Sequence, residues 1–268
     1  MGHDRKFSVI ALKHLPIPLT AVLLSGLLSA CQPANVQPAT GGTPQTTNKV
    51  AELQTQLGIG YLREGKLELA WTRLQRALDA DPNFSTAHNA MALVQEGLND
   101  PQKAEEHYLL AVSLNPADSA AQNNYGRFLC RQKRFEEGER RFLQAAKNPL
   151  YSRPEVAYTN AGLCMKQAKK LDKAERYLRS ALQLDPRIPP ALIAMSEISF
   201  TRERYLPARG YLQRYLELSK HTAHSLWLGV QIERQLGDKN TASSYAMMLK
   251  SNYPDSRETQ LLFESDEL

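Results

Sequence analysis

The sequence predicts an all-α chain, a right-handed superhelical solenoid of six stacked helix pairs. Three observations carry that prediction. From Ala51 onward a column of small residues recurs at Gly58, Ala92, Gly126, Gly162, Ser196 and Gly229, in steps of 34, 34, 36, 34 and 33. A second small column falls at Ala70, Ala104, Gly138, Ala174, Ala208 and Thr241, each followed four residues later by a large residue: Leu74, Tyr108, Phe142, Leu178, Leu212 and Tyr245. A third runs through Ala77, Ala111, Ala145 and Ala181 before giving way to Tyr215 and Met248. Small residues let the two helices of a pair approach closely, and the large ones fill the gap against the neighbouring pair. Pro82, Pro116 and Pro186 stop the second helix, because proline cannot continue one. A lone pair cannot bury its apolar face, so the pairs must stack.

The period and the residues of the first copy (Leu57-Gly58-x-x-Tyr61, Ala70-x-x-x-Leu74, Ala77, Pro82) are those of a tetratricopeptide repeat (TPR). The elements follow in order. Residues 1–30 read as a leader: Arg5, Lys6 and Lys13 give it positive charge, and Ile17 to Leu28 is an apolar stretch too short to span a bilayer stably. It ends in Leu28-Ser29-Ala30-Cys31, which resembles a bacterial lipobox. That resemblance implies cleavage before Cys31 and acylation of its thiol and new amino group. Each buried CH₂ of such chains contributes about 0.8 kcal/mol to membrane binding. Gln32, where inner-membrane lipoproteins usually carry Asp, implies export to the outer membrane.

Residues 31–50, rich in Pro, Thr, Gln and Gly, read as the lipidated Cys and a flexible tether. Its polar part has a root-mean-square reach of about 23 Å. The repeats then occupy 51–84, 85–118, 119–154, 155–188, 189–221 and 222–255, with a tail or cap at 256–268. Two extra residues around Asn148 to Pro154 predict a longer connection there.

The bulk composition excludes several classes. At 268 residues, 42% hydrophobic, with 14 Gly and 15 Pro, the chain is neither collagen-like nor globally disordered. The net charge of +5 hints at nucleic acid, but the leader takes Arg5, Lys6, Lys13 and Asp4 from 33 basic and 28 acidic residues, leaving 30 against 27. No nucleic-acid partner is expected from an excess of +3.

No nucleophile elbow, H-E-x-x-H, P-loop or dinucleotide loop is present, so no enzyme activity, small-molecule substrate, metal site or cofactor beyond the lipid on Cys31 is expected. His221 and His224 have metal-ligand spacing, yet no local Glu or Cys completes a set, and a solvated pair is expected. Cys130 and Cys164 lie on first helices of adjacent repeats. Export permits a disulfide, but their positions within the repeat differ by two, so buried free thiols are expected.

Function must then reside on a surface. The first helices of such a solenoid line a groove, and the inward positions place Ile59, Leu62 and Arg63 there from repeat one. Repeat two supplies Asn89, Leu93 and Glu96; repeat three supplies Asn123, Arg127, Cys130 and Arg131; repeat four supplies Thr159, Leu163 and Lys166. Asn123, Arg127 and Arg131 share one helical face and suit a peptide carboxylate or backbone. The apolar members suit a hydrophobic strand or amphipathic helix. Two plainer readings stay open: the arginines as solvated side chains, and Ile59 and Leu62 as core.

Further segments carry a family resemblance: Leu57-Gly58-Ile59-Gly60-Tyr61-Leu62-Arg63-Glu64-Gly65, Asn123-Asn124-Tyr125-Gly126-Arg127-Phe128-Leu129, Asn160-Ala161-Gly162-Leu163, Tyr205-Leu206-Pro207-Ala208-Arg209 and Ala242-Ser243-Ser244-Tyr245. Together with the lipobox, the chain resembles the PilF/PilW outer-membrane lipoproteins of type IV pilus biogenesis, or pilotins. The resemblance implies six repeats and a lipid anchor on the periplasmic face of a Gram-negative outer membrane. It also implies a partner, the PilQ-type secretin subunits, gripped by the early repeats, with the protein promoting their localisation and multimerisation. Cys130 stands where the family leads one to expect an aromatic residue. The same anchor and fold would also serve a TPR scaffold that recruits peptidoglycan hydrolases or other envelope proteins.

Overall fold

The computed structural model describes residues 46–266, so the leader 1–30 and the lipidation assigned to Cys31 lie outside the described residues. Among those residues the chain is helical, in six antiparallel pairs and a terminal helix: α1 (Lys49–Arg63) with α2 (Leu67–Ala80), α3 (Ser85–Gly97) with α4 (Pro101–Leu114), α5 (Ser119–Arg131) with α6 (Phe135–Lys147), α7 (Pro154–Gln167) with α8 (Leu171–Leu184), α9 (Pro189–Thr201) with α10 (Tyr205–Leu216), α11 (Ala223–Leu236) with α12 (Lys239–Asn252), and α13 (Arg257–Asp266).

The small columns meet the large ones physically. A Cβ placed on Gly58 would lie 2.6 Å from Leu74 Cγ; on Gly126, 2.7 Å from Phe142 Cε1; on Gly162, 2.5 Å from Leu178 Cγ; on Gly229, 2.8 Å from Tyr245 Cδ2. These separations are below contact distance, so a side chain at any of these glycines would force the facing residue to shift. At the equivalent Ser196 the hydroxyl instead donates to Ala208 O at 2.8 Å, which removes the cost of burying it.

Local signals start and stop the helices. Asn48 caps α1, its Oδ1 accepting from Val50 N and Ala51 N, while its Nδ2 donates to Ala80 O at 2.7 Å. The last residues of the stretch read as tether are therefore held by the first repeat. Asp100, Asp118, Thr222 and Asp238 cap α4, α5, α11 and α12. The turn inside every pair contains one left-handed residue: Gly65 (φ 73°), Asn99 (60°), Lys133 (61°), Lys169 (59°), Glu203 (57°) and Gly237 (76°). The connection between α6 and α7, residues 148–153, is longer than those at 81–84, 115–118 and 185–188.

The core is a row of local clusters, each shared by neighbouring repeats. Leu74 and Ala77 pack with Met91 of the next repeat, Tyr108 and Ala111 with Tyr125 and Phe128, and Leu178 with Met195 and Ile198. At the far end Leu262 of α13 is fully buried with Leu226, Val230 and Leu249, so α13 covers the face that a seventh repeat would cover.

Candidate protein-binding groove

First helices of successive repeats pack directly on one another, α1 on α3, α3 on α5, α5 on α7, α7 on α9 and α9 on α11. The groove residues expected from the sequence lie on these first helices. Hydrogen bonding and charge pairing divide those residues into two groups.

One group is used to join the helices. Asn89 and Asn123 are only 8% and 7% exposed. Asn89 Oδ1 accepts from Asn124 Nδ2 at 3.2 Å, and Asn123 Oδ1 accepts from Asn160 Nδ2 at 2.9 Å. Arg131 is ion-paired with Glu96, which also accepts from the Tyr108 hydroxyl. Burial holds that hydroxyl well above the usual tyrosine range. Lys166 pairs with Glu197, which also holds His224, so one carboxylate joins α7, α9 and α11. Thr159, equally buried, joins no second helix: its hydroxyl donates to Glu155 O of its own helix at 2.8 Å.

The expectation of free thiols is corrected. Cys130 and Cys164 form a disulfide, with Cα atoms 5.8 Å apart, inside the roughly 4.4–6.8 Å that such bonds require. The offset of two positions, read as an obstacle, is what makes the bond possible. Two residues on a helix turn a side chain by about 200°. On neighbouring helices running the same way, equal positions point in the same direction, whereas positions offset by two point at each other.

The second group remains presented. Ile59 and Leu62 are half-buried against the first core cluster, Leu93 against the second-repeat cluster and Leu163 against the one containing the disulfide. Arg63 and Arg127 are exposed, and neither forms an ion pair among the described residues. Leu93, Glu96, Arg127, Phe128 and Arg131 border one cleft of 520 Å³ between α3 and α5. The structure therefore separates two arginines that the sequence places in one stripe: Arg131 is neutralised and Arg127 is not.

His221 and His224 do not converge. The ring of His221 meets Tyr245 edge-on at 5.8 Å and its carbonyl accepts from the Tyr253 hydroxyl at 2.6 Å, while His224 turns to Glu197. Among the described residues no cluster of three or more His, Cys, Asp or Glu could hold a metal ion.

Sequence reasoning missed a ladder on the second helices. Glu105, Glu139 and Glu175 each directly follow a small marker residue and each bind the next repeat. Glu105 accepts from the Tyr125 hydroxyl at 2.9 Å and pairs with Arg134. Glu139 accepts from Lys173 at 2.7 Å and Tyr177 at 2.6 Å. Glu175 pairs with Arg204 at 2.7 Å and Arg202 at 3.0 Å. Hydrogen bonds from Arg204, then Arg179, hold the Glu175 carboxyl down at about 2. The available signal was the spacing of these acids, 34 and 36 residues, which matches the small column.

Comparison with known proteins agrees with this architecture. The tetratricopeptide repeat family matches residues 55–119, 89–154 and 156–188. The type IV pilus assembly protein PilF of Pseudomonas aeruginosa is 34% identical over 218 residues, covering 81% of this chain and 86% of that protein. The solved P. aeruginosa PilF superposes with a TM-score of 0.76 over 81% of this chain and 98% of that one. PilW, described as a widely conserved type IV pilus biogenesis factor, does so with a TM-score of 0.74 at 31% identity, over 81% and 99%. On this likeness in sequence and fold, the chain belongs to the PilF/PilW family of type IV pilus biogenesis TPR proteins.

Proposed function

We propose that this chain is a pilotin: a lipoprotein anchored through Cys31 in the outer membrane that binds secretin subunits on its first-helix face and brings them to the membrane for multimerisation. The observation that carries the reading is the 34% identity to PilF, a pilus assembly protein, across 86% of that protein's length. The site supports it in kind. Half-buried aliphatics beside arginines without ion pairs, on a face joined by a disulfide and two asparagine–asparagine hydrogen bonds, suit a polypeptide partner. No chemical step is required, since binding together with a lipid anchor suffices to move a client. The lipid would be covalent and would be the only non-protein group.

Deletion of the gene followed by a gel for heat-stable secretin multimers is the direct test. The expected result is loss of multimers and of twitching motility, restored by the wild-type chain and not by Cys31→Ser. Normal multimers in the deletion strain would reject the pilotin reading. Normal multimers with Cys31→Ser alone would reject only the anchor.

A further inference from the structure

We infer that the first-helix face of repeats two to four selects an extended partner segment in which one carboxylate is flanked by two large aliphatic side chains. The inference rests on that face being the binding surface proposed above, and adds what it recognises.

The argument begins with one position of the repeat. The residue after the first small marker is Leu93 in repeat two, Arg127 in repeat three and Leu163 in repeat four. The two leucines are half-buried and the arginine between them is exposed. The neighbouring cations are already neutralised, Arg131 by Glu96 and Lys166 by Glu197, whereas Arg127 has no ion-pair partner among the described residues. The surface thus reads apolar, positive, apolar along three consecutive helices, and its complement is aliphatic, acidic, aliphatic. Arg127 borders the 520 Å³ cleft that also contains Leu93 and Phe128, so a carboxylate there sits beside apolar surface, where a bidentate arginine contact gains strength.

Hydrogen-bonding capacity favours an extended segment over a helix. Asn89 and Asn123 use their Oδ1 atoms to bind the next helix. Their Nδ2 groups have no protein partner, and neither is sealed from solvent. Two amide donors are therefore held one repeat apart, one helical turn before Leu93 and Arg127 on their helices. An extended chain has free carbonyls for them, and a helix does not.

Register follows from packing. Neighbouring helices lie about 8–10 Å apart, and an extended chain in the polyproline II conformation advances about 3.1 Å per residue with three residues per turn, so every third residue meets a successive repeat from the same side of the chain. The predicted pattern is aliphatic-x-x-acid-x-x-aliphatic. The Cys130–Cys164 bond lies between the helices that carry Arg127 and Leu163, and fixes that half of the register.

The test is an array of immobilised seven-residue peptides with Leu at both ends, Gly/Ser spacers and every amino acid at the centre, probed with the full-length chain in detergent. Wild type is expected to hold Asp- or Glu-centred peptides at least ten-fold better than Lys-centred ones. Arg127→Glu should reverse that order and Arg127→Ala should flatten it, with helicity by circular dichroism unchanged in both. The same order in wild type and Arg127→Glu, or no binding of any peptide by wild type, overturns the inference. So does tighter binding of a helix-forming peptide with the same three residues seven apart. Secretin co-purification is scored separately: retained secretin with no acid preference rejects the motif alone, and a wild-type acid preference that Arg127→Glu reverses, without secretin retained, rejects the partner alone.

Discussion

Arg204, at the start of α10, donates to Glu175 Oε2 at 2.7 Å across the boundary between the fourth and fifth repeats. Arg202 shares the same oxygen, and Arg179 binds the other. The Glu175 side chain is 9% exposed, whereas its arginine partners stay open to solvent, which screens part of each attraction.

The first prediction is an acid limb of unfolding. Glu175 titrates at about 2 when folded, against 4.5 as the ordinary value. A depressed carboxylate stabilises the fold fully above its unfolded pKa and loses that contribution as pH falls through the folded one. The window is thus about pH 4.5 down to 2. Glu175→Gln should cost on the order of 2–3 kcal/mol at pH 7 and flatten this limb. Urea titrations from pH 7 to 2.5 decide it; parallel wild-type and variant curves would refute it.

A second pH effect sits higher. His88 Nδ1 and His107 Nδ1 are 2.9 Å apart, and the other ring nitrogen of His88 lies 2.9 Å from Pro82 O. Burial, then the neighbouring His88, push His107 down to about 4, and burial lowers His88 too. Both are held neutral, so their contribution is present above pH 6.5 and declines as pH falls toward 4. His107→Gln should weaken the dependence of the urea midpoint between pH 6.5 and 4.5. An identical slope in the variant would count against the pair.

Third, the left-handed turn residues should respond in opposite directions. Gly65 and Gly237 meet the requirement without cost, so Gly65→Ala should lose about 1 kcal/mol. Glu203, at φ 57°, carries a side chain there, and Glu203→Gly should gain about 0.5 kcal/mol once the extra freedom of unfolded glycine is subtracted. Melting temperatures moving the same way in both variants would contradict this.

Fourth, the disulfide joins residues 34 apart in sequence, a loop whose closure corresponds to about 3–4 kcal/mol by chain entropy. Cys130→Ala with Cys164→Ala should lower the urea midpoint accordingly. Reductant should lower the wild-type midpoint to the same value and leave the double variant unmoved. A reductant effect that persists in the double variant would place the redox sensitivity elsewhere.

The repeat was legible because packing imposes it locally. Gly58 against Leu74 and Gly162 against Leu178 leave no room for a side chain, so composition at those positions announces the fold. Charge partners were not legible in the same way. Arg134 binds Glu105 from a turn 29 residues away, and nothing in its neighbours names that carboxylate. The left-handed column was hidden for a related reason: glycine marks it at both ends, while Lys133, Lys169 and Glu203 adopt the same backbone without any compositional sign. For the groove, residue type located the helices' common face but could not tell Arg127 from Arg131, because the difference lies in Glu96 on another helix.

The covalent bond between α5 and α7 also changes how the molecule can come apart. In a linear array each repeat is supported only by its neighbours, so partial unfolding frays inward from whichever end opens first. A crosslink near the middle acts as a stop for both fronts. A molecule that has lost its first or its last pair would still carry Arg127 and Leu163 in fixed register. Amide exchange should accordingly be slowest in α5 and α7 and faster toward both termini, a gradient that reduction would make shallower.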